Sequence, residues 1–146
     1  MKIETFSMEF YDDIIQLWEK AGISVSSSDS KEEINRMLIK NPDLFLIGRI
    51  QGKIIAVVMG GFDGRRGYVH HLAVHPEYQK EGNGRKIMNK LIEIFRQKEI
   101  HKVHLFIEKT NKEVINFYKN LGWELRKDLT MMSFVPDEEL YKRKLI

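Results

Sequence analysis

The sequence predicts one α+β domain spanning residues 1–146. Strand-like and helix-like periodicities interleave along it: a strand, two helices, three strands, a helix, a strand, a helix and a closing pair of strands. No repeat, linker or low-complexity segment interrupts that order. A chain of 146 residues, 42% hydrophobic and 31% charged, has globular composition. At this length folding buries about 70% of the surface of the unfolded chain, enough for a core without disulfide or metal.

Lys2 to Phe6 alternates as a first strand. Ser7 is placed to cap a helix in which Tyr11, Ile14, Ile15 and Trp18 share one face, and Gly22 ends it. Ser24 to Ser30 reads as a polar, flexible connection. Ser30 with Glu33 then forms a capping-box pattern ahead of Ile34, Met37 and Leu38, in a helix stopped by Pro42. Leu44 to Ile50 and Ile54 to Phe62 are strands joined by a hairpin at Gln51-Gly52-Lys53. After the tight connection from Asp63 to Gly67 comes a fourth strand, Tyr68 to His75, closed by Pro76. From Gly82 to Lys98 the residues Ile87, Met88, Leu91, Ile92 and Phe95 form one stripe of a long helix. Val103 to Ile107 suits a buried strand. Asn111 caps a helix with Val114, Ile115, Tyr118 and Leu121 inward, and Gly122 stops it. Trp123 to Arg126 and Leu129 to Val135 are expected to close the sheet, while the charged tail from Asp137 to Ile146 is assigned no element.

Cysteine is absent, which excludes a disulfide framework, a thiolate zinc site and a cysteine nucleophile. No metal site is expected. Met1-Lys2-Ile3-Glu4 leads directly into a strand, and no stretch approaches 18 uninterrupted apolar residues, so a soluble, unprocessed, cytoplasmic protein with no membrane contact is expected. The net charge of +3 says little, but Gln79 to Lys102 holds seven basic residues (Lys80, Arg85, Lys86, Lys90, Arg96, Lys98, Lys102) against three acidic ones. That excess suits either a solvated helix face or a site for a phosphorylated ligand.

The chemistry concentrates in Val74-His75-Pro76-Glu77-Tyr78-Gln79-Lys80-Glu81-Gly82-Asn83-Gly84-Arg85, between a strand and a long helix. Gly82 and Gly84 let the backbone come close to a ligand and leave free amides at the helix start. Those amides and the positive end of the helix dipole make an anion site, reinforced by Lys80, Arg85 and Lys86. The segment lacks the Gly-Lys-Ser/Thr ending of a P-loop and one glycine of a dinucleotide-binding fingerprint.

Gln79 to Gly84 resembles the acyl-CoA signature Q/R-x-x-G-x-G/A of the GNAT superfamily of N-acetyltransferases. Asn116-Phe117-Tyr118-Lys119-Asn120-Leu121-Gly122-Trp123 resembles that family's later N-x-x-A-x-x-F-Y-x-x-x-G-F motif, and the element order is similar throughout. The resemblance implies a central mixed, mostly antiparallel sheet of six to seven strands flanked by about four helices and splayed between strands 4 and 5. It also implies acetyl-CoA (CoA) as cofactor and an amine acceptor, which in this family is a protein N-terminus, a lysine, a polyamine, an aminoglycoside or a small metabolite. Amides around Gln79, Lys80, Glu81, Gly82, Asn83, Gly84 and Arg85 would hold the CoA pyrophosphate. Leu72, Ala73 and Val74 would receive the pantetheine arm as an added strand, with an amide near Ala73 polarising the thioester carbonyl. Asn111 resembles a cofactor-contacting asparagine, and Tyr118 the tyrosine that protonates the departing thiolate. Val114, Ile115, Asn83 and Glu81 depart from the usual pattern, Glu81 by placing a negative charge beside the pyrophosphate site.

For the base, strict alternation puts Tyr68, His70, Leu72 and Val74 on one face and Val69, His71, Ala73 and His75 on the other, so only one of His70 and His71 faces the cleft. Each also suits an ordinary packed or surface histidine, and Glu108 is a third candidate. A lysine amine near 10.4 pays roughly 4.6 kcal/mol to be neutral at pH 7, an α-amine near 7.8 only about 1 kcal/mol, so the need for a base depends on the acceptor. Direct transfer from acetyl-CoA to a primary amine in a ternary complex is the leading reading. The alternatives are a non-catalytic acyl-CoA binding module on the same fold and, last, a nucleic-acid binder, disfavoured because aromatics do not interleave with the basic run. A monomer or homodimer is expected.

Overall fold

The computed structural model describes residues 1–141. Its elements are β1 (Lys2–Thr5), α1 (Tyr11–Lys20), α2 (Lys31–Lys40), β2 (Phe45–Ile50), β3 (Lys53–Phe62), β4 (Gly67–Val74), α3 (Asn83–Gln97), β5 (Val103–Leu105) and α4 (Lys112–Asn120). The sheet runs β1-β2-β3-β4-β5, antiparallel through β4, with β5 parallel to β4. No helix among the described residues is long and apolar enough to cross a membrane.

Two cores form because the sheet is covered on both faces. Ile14, Leu17 and Trp18 of α1 and Ile34 of α2 pack with Phe45, Ile47, Val57 and Ala73. On the other face Ile87, Met88, Leu91 and Phe95 of α3 and Tyr118 of α4 pack with Leu46, Ala56, Val58 and Val69. β3, central and buried over most of its length, therefore reads as a continuous apolar run. Ser30 Oγ accepts the Glu33 N–H to start α2. The β2–β3 hairpin turns on Gln51 (φ 50°) and Gly52 (φ 77°), the paired left-handed conformation that matches strand twist.

Two departures from the sequence expectations matter. The first is a bulge in β4: Val57 pairs with Ala73 and Met59 with His70, so Val58 alone opposes both His71 and Leu72. His71 takes the extra turn with φ 51°. Beyond it the side-chain parity inverts. Val69 faces the α3 core and Ala73 the α1–α2 core, not one shared face.

The second is the strand count. Five strands form among the described residues, where six to seven were expected. Residues 123–126 and 129–135 form no strand, and Leu129, Met131, Met132 and Phe134 are exposed. β5 is only three residues long, shorter than the expected 103–107, and offers too few ladder groups to template a neighbour. The charged tail, to which no element was assigned, runs beyond the last described residue.

Candidate active site

Pairing between β4 and β5 covers Gly67 to Val69 against Val103 to Leu105 and then stops. A cleft of about 1210 Å³ lies beyond that point, walled by Leu72, Ala73 and Val74 on one side and by Phe106, Ile107 and Glu108 on the other. Main-chain direction along this wall follows from the ladder. His75 N–H donates to the Ile55 carbonyl at 2.8 Å, and Ala73 stands opposite Val57 two residues further on. In an antiparallel ladder that directs the Ala73 main-chain groups toward β3 and those of Leu72 and Val74 toward the cleft edge.

At one end of the cleft the loop after β4 builds a row of amides. Lys80 (φ 62°) and Gly82 (φ 85°) both adopt left-handed backbone, and α3 starts at Asn83 with no side chain capping it. The first intrahelical bond is Lys86 N–H to the Gly82 carbonyl at 3.0 Å, so the amides of Asn83, Gly84 and Arg85 have no helical acceptor. Two side chains hold the loop in shape: Gln79 Nε2 donates to the Val74 carbonyl at 2.8 Å, and Asn83 Nδ2 to the Tyr78 carbonyl at 2.9 Å.

Gln79, Lys80, Gly82, Gly84 and Arg85 line the cleft; Glu81 and Asn83 do not. Asn83 is buried and turned inward, so its polarity serves the loop. Glu81 is exposed, away from the cleft wall.

Tyr118 and Asn111 also line the cleft. Asn111 Oδ1 accepts the Val114 N–H at 3.3 Å and caps α4. Tyr118 is held edge-on between Phe117, at 5.1 Å between ring centroids, and Trp123, at 5.5 Å. Among the described residues no group bonds its hydroxyl and no buried side-chain polar atom lacks a partner, so that oxygen opens to the cleft. Burial pushes its phenol well above the ordinary range.

The bulge brings both histidines to the α1–α2 side of the sheet. His70 stacks on Tyr68 and is not part of the cleft wall; burial, then the neighbouring His71, push its imidazole below its ordinary value. His71 lines the cleft. Its carbonyl accepts the Trp18 Nε1–H at 3.2 Å, its ring meets the Trp18 ring at 4.8 Å, and its Nε2 lies 3.0 Å from Asp29 Oδ1.

Sequence reasoning missed Asp29. The connection read as flexible is organised instead, by a reciprocal cap in which Ser28 N–H donates to Ser26 Oγ and Ser26 N–H donates to Asp29 Oδ2 at 3.0 Å. Tyr11 Oη donates to the Asp29 carbonyl at 2.6 Å. The Asp29 side chain is 4% exposed, and burial raises its carboxyl, but bonds from His71 and the Ser26 amide outweigh that and hold it below the ordinary value. The signal available beforehand was Ser26-x-x-Asp29, a capping spacing inside a serine-rich stretch.

The model of the acetyltransferase (GNAT) family matches residues 9–123. The chain is 33% identical over 124 residues to Acetyltransferase ECA0875 of Pectobacterium atrosepticum, covering 85% of this chain and 88% of that protein. It is 29% identical over 141 residues to Acetyltransferase SG1711 of Sodalis glossinidius, covering 95% and 99% respectively. Among solved structures, the PaiA N-acetyltransferase from Thermoplasma acidophilum in complex with coenzyme A superposes with a TM-score of 0.76 at 19% identity, over 86% of this chain and 92% of that one, which is a likeness of fold.

Proposed function

The chain belongs to the acetyltransferase (GNAT) family, and from that premise we propose that it moves an acetyl group from acetyl-CoA to a primary amine by direct attack while both are bound. The observation that carries this reading is the coexistence, in one cleft, of an uncapped amide row with two cations at one end and the Tyr118 hydroxyl along its wall. Bound there, acetyl-CoA supplies an acetyl group already activated as a thioester.

The residues present fit that group. Amides of Asn83, Gly84 and Arg85, at the positive end of α3 and flanked by Lys80 and Arg85, suit a pyrophosphate. A Cβ on Gly84 would press on Phe117 in the cleft wall, which gives the glycine a reason to be there. The short β4–β5 pairing supports a splay between these strands, with Leu72 and Val74 offering main-chain groups to an extended pantetheine arm. The Leu72 amide, turned to the cleft edge by the bulge, is the donor suited to charge developing on the carbonyl oxygen.

His71 takes the ammonium proton that must leave before the amine attacks. Tyr118 donates a hydrogen bond to the leaving sulfur as the C–N bond forms and the C–S bond breaks, and the proton that the new amide nitrogen sheds passes to that sulfur, so CoA leaves as the free thiol. Glu108, exposed at the far wall, lies where it can meet a cationic acceptor.

The test is release of free CoA thiol by purified protein given acetyl-CoA and a panel of amines: peptides with free α-amines, lysine peptides, polyamines and aminoglycosides. Amine-dependent release above the uncatalysed rate is expected for at least one class. Calorimetry that detects no heat of CoA binding to folded protein would remove the reading.

A further inference from the structure

The Asp29–His71 pair joins residues 42 positions apart, and no motif in the sequence announces it. Both carboxylate oxygens of Asp29 are engaged, Oδ2 by the Ser26 amide and Oδ1 by His71, and the side chain is almost fully buried. A carboxylate held ionised in such a place can only accept hydrogen bonds. The proton between the two groups therefore sits on Nε2 of His71, and Nδ1 is left as the acceptor of the neutral ring.

Every other contact of His71 narrows its freedom further. Trp18 grips the carbonyl and the ring edge, and the backbone is held in the left-handed conformation of the bulge. The ring remains about 29% exposed at the cleft wall, where the α1–α2 connection also contributes Gly22, Ile23 and Ser24.

We propose that Asp29 is a positioning residue for the acetyl transfer: through its bond to Nε2 it fixes the tautomer and orientation of His71, so that Nδ1 receives the proton of the acceptor ammonium. This rests on the reading of His71 as the base. In the step, an N–H bond of the ammonium breaks, an Nδ1–H bond forms, and the positive charge passes to a ring already paired with the Asp29 carboxylate. The ring gives the proton to water after the product leaves. The base is thus complete only when the Ser26–Asp29 turn is folded against β4, beside the stretch of cleft wall to which Gly22, Ile23 and Ser24 contribute.

The experiment is nitrogen-15 NMR of the imidazole rings in the full chain, with the His71 signals assigned by their loss in His71→Gln, alongside steady-state kinetics of Asp29→Asn and His71→Gln. In the wild type the neutral ring should show Nε2 protonated and Nδ1 bare. In Asp29→Asn that preference should be lost or inverted, kcat should fall about 10- to 100-fold, and CoA affinity should hold within about twofold as a check on folding. A wild-type ring protonated on Nδ1 overturns the proposal even if Asp29→Asn fails to fold. Wild-type kcat in a folded Asp29→Asn protein, while His71→Gln is inactive, overturns the role of Asp29 alone. Full turnover in His71→Gln removes the base reading itself, whatever the tautomer.

Discussion

The ring of Phe117 stands against the backbone of Gly84, so close that a β-carbon added there would lie 3.3 Å from Cζ. Helices α3 and α4 meet at this point, and Phe117 is part of the cleft wall. Alanine at 84 gains about 1 kcal/mol of helix propensity and loses a comparable amount to crowding. Gly84→Ala should therefore melt within a few degrees of the wild type, about 2–4 °C per kcal/mol being the scale for a domain of this size. Its KM for acetyl-CoA should rise about 3- to 10-fold as the ring yields toward the cleft, this being worth about 1 kcal/mol of binding. Thermal melts and initial-rate kinetics on one preparation check both.

Tyr118→Phe separates an enzyme from a binding module. The hydroxyl has no partner to lose among the described residues, so stability should change by less than about 1 kcal/mol. A hydrogen bond to a charged group is worth about 1.5–3 kcal/mol, so kcat should drop roughly 10- to 150-fold with CoA affinity unchanged. Unaltered turnover would take Tyr118 out of the chemistry.

Lys80 and Arg85 flank the amide row but are exposed, so their contribution to anion binding should be screened by salt. The double variant Lys80→Gln with Arg85→Gln should bind CoA about 10-fold more weakly at low salt, roughly 1.4 kcal/mol. The gap should close toward 1 M salt, where the Debye length is about 3 Å. A gap that persists unchanged would mean the amides, not the side chains, carry the attraction.

Acid should lower the stability of the protein over two separate pH windows. His70 is held below 6.5 in the folded state, so as pH falls beneath 6.5 the unfolded chain binds more protons and stability declines until the lower folded value is passed. Asp29 is held below 3.8, so its contribution is complete above 3.8 and is lost as pH falls through its folded value. Denaturant midpoints measured from neutral to acid pH should show both slopes. His70→Gln should flatten the upper one and Asp29→Asn the lower one.

Much of the scaffold was legible because periodicity reports which face of an element is buried. Ile14 and Trp18, or Ile87 and Leu91, announce their helices, and the hairpin at Gln51-Gly52 announces itself by turn chemistry. The amide row was legible too, because Gly82 and Gly84 fall between a strand closed by Pro76 and an amphipathic stripe, the context of a helix start without a side-chain cap. The site's other half was not. Alternation assumes two residues per repeat, and one extra residue at His71 breaks that count without any mark in composition. Asp29 hid in a serine-rich stretch whose polarity suggested solvent, whereas its polar groups are satisfied by each other and by His71. Leu129 to Val135 misled in the opposite sense: a strand-forming composition needs an adjacent ladder, and β5 ends too soon to provide one.

The bulge also determines how this segment tolerates insertion and deletion. Removing His71 would leave Leu72 and Ala73 on their present faces, but flattening the bulge with every residue kept would press Leu72 among the aromatic side chains beneath α1 and send the small Ala73 to the face served by α3. Two cores would then be misfilled at once, one overfull and one hollow. The left-handed backbone at His71 is consequently what lets this strand carry one residue more than its partner while both cores stay correctly filled.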